Sequence, residues 1–195
     1  MKLGKLLLAV VGSTMLLGIL VASASARNLE VSSQTTTALW RRMDYAGGFG
    51  TFECEVKLSG SFHSRTSTKT VDSLLGYITE GTVLRCARGG ATINQVSFPW
   101  HRRYRGFTGT LPGITGAQET VAGFEWRIRE PFFGNICTVS GATSSISIAY
   151  AVSGGTLISA EISGENSCSG INGRLSGTET NVTNGAGARI TVRLI

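Results

Sequence analysis

Apolar and polar residues alternate along most of the chain, and a period of two is typical of β-strands that bury one face. The pattern is clearest over residues 51–59, where Phe52, Cys54 and Val56 share one face and point into the predicted core. The same alternation predicts strands in three more segments: 122–129, 144–150 and 188–195. Weaker alternation predicts strands in a further set: 29–32, 35–39, 82–87, 91–95, 96–105, 136–140, 156–163 and 174–181.

Pairs of turn-forming residues separate these segments. The pairs are Gly89-Gly90, Gly154-Gly155, Asn172-Gly173 and Asn184-Gly185. An Asn-Gly pair suits a hairpin turn because both residues accept a positive φ. Many short strands punctuated in this way predict an all-β fold, either an antiparallel β-sandwich or a barrel-like arrangement.

One segment has a different period. Over residues 69–78, Val71, Leu74, Leu75 and Ile78 recur at i, i+3, i+4 and i+7, which is the stripe of an amphipathic helix. The pattern predicts one short helix here, with Ser67 as its N-terminal cap.

The first 26 residues have the layout of a secretory signal peptide. Two lysines precede an uncharged apolar stretch over residues 6–21, and the small residues Ala24, Ser25 and Ala26 follow it. We therefore expect one mature β domain over residues 27–195, secreted or held at the cell envelope, with retention of the signal as an anchor as the alternative. The mature part has no second apolar run near the roughly 20 residues of a membrane helix.

All the cysteines belong to the mature part, and export delivers them to a compartment where disulfides form. They are Cys54, Cys86, Cys137 and Cys168. Among the three possible pairings, separations of 32 and 31 residues favour two sequential disulfides, the first cysteine with the second and the third with the fourth. Isolated cysteines and only two histidines do not form a zinc motif, so we expect no metal site, and no motif predicts a cofactor.

The strongest candidate for chemistry is the segment 98–107, in which aromatic and cationic residues interleave. An extended chain would sort them into two faces. One face has His101, Arg103 and Arg105, and the other has Trp100, Arg102 and Tyr104. These six residues are the candidate ligand-binding residues.

Two interpretations of this segment remain open. The favoured one is an ordinary strand whose apolar face fills the core and whose arginines are solvated or paired with glutamates on neighbouring strands. The other is a recognition surface for an anionic envelope polymer or glycan, with specific nucleic-acid binding disfavoured, because an arginine row binds phosphate and carboxylate groups. Arg127 and Arg129 would extend that surface if their strand lies beside it.

A hydrolytic triad needs a histidine. The chain offers His63, with Asp72 or Asp44 as its carboxylate, or His101 with a carboxylate that the sequence does not identify. Neither has a supporting motif, and the Gly-x-Ser-x-Gly turn of many serine hydrolases is absent from the sequence. A secreted hydrolase using His63 or His101 is therefore the alternative hypothesis.

Three short motifs follow the signal-like segment: residues 58–63 (Leu-Ser-Gly-Ser-Phe-His), 99–101 (Pro-Trp-His) and 109–114 (Gly-Thr-Leu-Pro-Gly-Ile). Together with the four cysteines, they resemble a group of small exported all-β proteins of actinobacteria. The resemblance implies export and no particular activity. The leading hypothesis is an exported, disulfide-stabilised, non-enzymatic protein that acts in binding or as a structural component.

Overall fold

The computed structural model describes residues 28–48, 50–110, 113–129, 134–141, 145–168 and 170–195. The predicted signal peptide, residues 1–26, lies outside these ranges. The strands are β1 (Asn28–Val31), β2 (Thr35–Gly47), β3 (Gly50–Phe62), β4 (Thr66–Thr68), β5 (Leu74–Arg88), β6 (Gly90–Ile93), β7 (Trp100–Thr110), β8 (Gly113–Ala122), β9 (Glu125–Arg129), β10 (Ile136–Ser140), β11 (Ile146–Ser153), β12 (Thr156–Cys168), β13 (Ile171–Thr183) and β14 (Val192–Leu194). A 3₁₀ helix, Gln95–Ser97, precedes β7.

Eight of the strands form a closed antiparallel barrel. They are β2, β3, β5, β7, β8, β11, β12 and β13, and each pairs with the next one along the chain. The last, β13, pairs with the first, β2, over an extended ladder from Gly173↔Gly47 to Thr183↔Thr37. This closure confirms the predicted antiparallel all-β fold in its barrel-like form.

The remaining six strands of the described residues form two groups. Strands β10, β9 and β6 pair in that order and join the barrel through one register pair, Val139↔Cys168, between β10 and β12. Strands β14, β1 and β4 form a separate three-stranded sheet, which we call the lid. The lid meets the barrel through backbone hydrogen bonds such as Val192 N–H to the Gly155 carbonyl, 2.6 Å.

The core follows the predicted alternation. Phe52, Cys54 and Val56 are all buried on the inner face of β3. Both predicted disulfides are present, Cys54–Cys86 and Cys137–Cys168. The first links the neighbouring strands β3 and β5, and the second fastens the β10–β9–β6 sheet to β12.

The helix predicted over residues 69–78 is wrong. Residues 71–72 form a turn, and β5 begins at Leu74. The apolar spacing of Leu74, Leu75 and Ile78 arises because the pairing of β5 with β7 shifts register between Leu74 and Gly76, which resets the strand alternation. The predicted cap, Ser67, lies in β4 of the lid.

A second correction concerns the turn predicted at Asn172-Gly173, which lies inside β13. Gly173 faces the ring of Tyr45, and a Cβ atom there would lie 2.2 Å from the Tyr45 hydroxyl. The glycine is therefore needed for close packing rather than for a turn. The predicted turns at Gly154-Gly155 and Asn184-Gly185 are confirmed.

Candidate functional site

Strand β7 divides its side chains as the alternation predicts. Trp100, Arg102 and Tyr104 point into the barrel, and their exposed fractions are 0%, 2% and 3%. His101, Arg103 and Arg105 lie on the outer face and are exposed. The six candidate ligand-binding residues therefore do not form one surface: three of them are core residues.

The two outer arginines hold the loop that precedes β5. Arg103 donates from Nη1 to the Asp72 carbonyl, 3.0 Å, and Arg105 donates from Nη1 to Asp72 Oδ1, 2.8 Å. The Arg105 and Asp72 side chains are 46% and 61% exposed, so water competes with this ion pair. Asp72 also adopts a positive φ of 66°, at the turn that brings its carboxylate to β7.

Other side chains complete this outer surface. Tyr77 of β5 lies opposite His101, and the two rings meet edge to face at 5.5 Å. We call Tyr77, His101, Arg103 and Arg105 the cationic face. Among the described residues, Asp72 is the single carboxylate that ion-pairs with it.

The surface does not extend to Arg127 and Arg129. Their strand, β9, pairs with β6 and β10, whereas β7 pairs with β5 and β8. Arg127 instead lies 3.7 Å from Glu125 of its own strand. The condition for extending the arginine row, that the two strands are neighbours, is therefore not met.

Neither histidine lies in a triad within the described residues. His63 is exposed just beyond β3, and its predicted carboxylates are occupied elsewhere: Asp72 pairs with Arg105, and Asp44 accepts from Arg42 at 2.9 Å. The His101 imidazole contacts the Tyr77 ring, and no carboxylate of the described chain hydrogen-bonds to it. The geometry that nucleophilic hydrolysis requires is not assembled around either residue.

The barrel interior contains an ionic network that the sequence reasoning missed. Arg102 of β7 and Glu119 of β8 form a buried ion pair, with Nε to Oε1 at 2.9 Å and Nη2 to Oε2 at 3.0 Å. Tyr150 of β11 donates its hydroxyl to Glu119 Oε1, 2.8 Å, and accepts from Arg102 Nη2, 3.1 Å. Three neighbouring strands thus contribute one side chain each to a closed set of charge-assisted hydrogen bonds.

The surroundings of this network keep the charges in place. Arg102 also donates to Thr36 Oγ1, 3.3 Å, and its guanidinium lies 4.4 Å from the centre of the Phe62 ring. Burial alone would lower the pKa of Arg102, but attraction to Glu119 outweighs it and raises that pKa. Burial raises the pKa of the Tyr150 phenol; nearby Arg102 opposes that shift and Glu119 adds to it. Tyr150 therefore stays protonated and donates its hydrogen bond at neutral pH.

One sequence signal pointed to this network. Arg102 alternates in register with Trp100 and Tyr104, two residues predicted to face inward. A charged residue on such a face needs a buried counter-charge. Which residue supplies the counter-charge depends on the strand register. Glu119 lies opposite Tyr104, which is two residues from Arg102 along β7 and shares its inner face.

Comparisons with known proteins add no relatives: no family model, curated protein or solved structure matches the chain. The described part contains no helix with the length and apolar character that a lipid bilayer requires. Nor do three or more His, Cys, Asp or Glu side chains gather as metal ligands anywhere in those residues. The cationic face and the buried network are therefore the two features on which a functional argument rests.

Proposed function

We propose that this is an exported, non-catalytic binding or structural protein that acts at the cell envelope or outside the cell. Its cationic face contacts an anionic partner, an envelope polymer or an acidic glycan. The observation that supports this is the exposed row of His101, Arg103 and Arg105 on barrel strand β7, in which Arg105 pairs with the exposed Asp72 carboxylate.

The charge arrangement favours an anion. Arg103 and Arg105 both contact Asp72, so two positive charges share one carboxylate at this face. Among the described residues, Arg103 donates to the Asp72 backbone carbonyl and forms no ion pair with a carboxylate. An incoming carboxylate, sulfate or phosphate would take the place of the Asp72 carboxylate, a weak competitor in water.

The compartment rests on two observations. The first 26 residues have the pattern of a signal peptide, and the fold contains two disulfides. Disulfides form and persist in oxidising environments, so both observations support export. The cationic face would then meet the polymers of the cell surface, which are commonly anionic.

The experiment uses protein that has been secreted by its expression host, with both disulfides intact. Binding to polygalacturonate, heparin, polyphosphate and duplex DNA is measured across a salt series. The test variant is Arg103→Ala with Arg105→Ala. The matched control is Arg127→Ala with Arg129→Ala, which removes the same charge from another exposed strand face.

We expect saturable binding to one polymer class, weakened at least tenfold by the Arg103 and Arg105 changes and less than twofold by the control. Unfolding midpoints of both variants should stay near that of the unchanged protein. Equal losses in the two variants would mean a response to net charge alone, and would overturn the proposal. Absence of binding to every polymer at low salt would overturn it as well.

A further inference from the structure

The two disulfides differ in their access to solvent. In Cys137–Cys168, the two residues are 3% and 0% exposed, so both are buried. In Cys54–Cys86, Cys54 is 4% exposed, but Cys86 is only half-buried and is the one cysteine of the described residues outside the buried class. An accessible disulfide exchanges with thiols, whereas a buried one reacts only after the protein opens around it.

The end of β5 that holds Cys86 is the edge of a sheet. β5 pairs with β3 along most of its length, but its pairing with β7 covers only residues 74–78. Among the described residues, the rest of β5 therefore has a strand partner on one side alone. The pairing with β3 also shifts register on both sides of the Cys54↔Cys86 pair. An edge ladder interrupted by bulges opens more readily than a regular central one.

Few side-chain contacts hold this end of β5. Over residues 82–88, no residue is buried. The side-chain links to β3 are the Cys54–Cys86 bond and the Arg85–Glu55 ion pair, in which Arg85 is 81% exposed. Because an exposed ion pair stabilises little, the disulfide is the principal side-chain link between this segment and the barrel.

We infer that the Cys54–Cys86 disulfide is a site of thiol–disulfide exchange, with a low-molecular-weight thiol as the reductant. The thiolate attacks Cys86 Sγ, since Cys54 is buried, and forms a mixed disulfide with it. The electron pair of the broken S–S bond leaves on Cys54 Sγ, which takes up a proton from water. A second thiolate then attacks the reductant's sulfur in the mixed disulfide and releases the Cys86 thiolate. Two thiols are thereby oxidised to their disulfide, and both cysteines are reduced.

The exchange controls how firmly one strand end is held. Reduction frees the end of β5, and the change reaches β6, which follows it directly after Gly89. β6 is the outer strand of the β10–β9–β6 group, and its buried Ile93 packs against β5 at Gly81. The reduced protein should therefore loosen over residues 82–93 while the barrel stays closed. This site is independent of the cationic face.

The first test adds reduced glutathione to the folded, oxidised protein, traps free thiols by alkylation at intervals, and locates them by peptide mass spectrometry. Cys54–Cys86 should open at least tenfold faster than Cys137–Cys168. Glutathione should be found on Cys86, with the free thiol at Cys54. In denaturant, where burial is lost, the two disulfides should react at rates within about threefold of each other. Equal rates in the folded protein, or glutathione mainly on Cys54, would overturn the inference.

The second test measures amide hydrogen exchange after selective reduction of Cys54–Cys86. Exchange should rise at least tenfold over residues 82–93 and less than twofold in β11. Cys54→Ala with Cys86→Val should reproduce this change without a thiol, whereas the matched control, Cys137→Ala with Cys168→Val, should leave residues 82–88 unchanged. Unchanged exchange over residues 82–93 after reduction, or a rise throughout the barrel, would overturn the inferred local release.

Discussion

Each face of β7 carries an arginine paired with a carboxylate, but the inner pair is buried and the outer pair is exposed to water. Arg102, on the inner face, lies 2.9 Å from the Glu119 carboxylate, and Arg105, on the outer face, lies 2.8 Å from that of Asp72. The inner side chains are 3% and 2% exposed, whereas the outer ones are 46% and 61% exposed. The distances are nearly equal, so the difference between the two pairs lies in their access to water.

That difference leads us to expect different effects from changes to the two pairs. Inside the barrel, the attraction between charges is strong, but each charge has lost its hydration and depends on its partner. Outside, water and salt weaken the attraction, so the arginine can exchange one anion for another. We therefore expect changes at Arg102 to affect folding and changes at Arg105 to affect binding.

The largest effect is expected for Arg102→Ala. It leaves the Glu119 carboxylate buried without its cation, and the free energy of unfolding should fall by about 3–5 kcal/mol. The comparison becomes sharper with a double variant, Arg102→Met with Glu119→Leu, which replaces both charges by apolar groups. Denaturant unfolding should show that the double variant recovers most of the loss. Equal destabilisation of the two proteins would mean that packing, rather than the unpaired charge, explains the effect.

An intermediate effect is expected for Tyr150→Phe, which removes one donor and one acceptor from the network. The cost should be about 1–3 kcal/mol at neutral pH. Because the pKa of Tyr150 is raised in the folded protein, the unfolded chain ionises first as the pH rises through about 10, and stability falls from there.

Above pH 10, the Tyr150→Phe variant should therefore lose stability less steeply than the unchanged protein. The slopes of unfolding free energy against pH should differ by the equivalent of up to one bound proton. Tyr45 and Tyr104, whose pKa values burial also raises, keep part of the slope in both proteins. Parallel slopes for the two proteins would contradict the protonated, hydrogen-bonded state assigned to Tyr150.

The smallest effect is expected for Arg105→Ala. An exposed ion pair contributes about 0–1 kcal/mol, and that contribution should vanish in high salt. Thermal unfolding at low and high salt would measure it. A loss above about 2 kcal/mol that persists in high salt would show that the outer pair is structural, and would remove the contrast between the two faces.

Local patterns were sufficient for much of the fold. The alternation over residues 51–59 predicted the inward face of β3, and the cysteine separations predicted both disulfides. Alternation failed where strand register shifts: the bulge between Leu74 and Gly76 produced a helical spacing inside β5. A period of two is a property of regular strands, and each bulge interrupts it.

The site was harder to predict because it depends on contacts between distant segments. Alternation separated Arg102 from Arg103 and Arg105 correctly. It did not identify Glu119 as the buried partner, since that depends on how β8 is aligned with β7 through two register shifts. Tyr150 enters through a third strand, β11, whose alignment is also non-local. A charged residue in a core-facing position was the one available sign of the network.

The most direct test compares two amide substitutions, Glu119→Gln and Asp72→Asn. Each substitution removes one negative charge that faces an arginine of β7 and nearly preserves the shape of the side chain. Asparagine also tolerates the positive φ at position 72. Free energies of unfolding in denaturant should fall by about 3 kcal/mol or more for Glu119→Gln and by less than about 1 kcal/mol for Asp72→Asn. Equal changes in the two variants would contradict the division of β7 into a structural inner face and an exchangeable outer one.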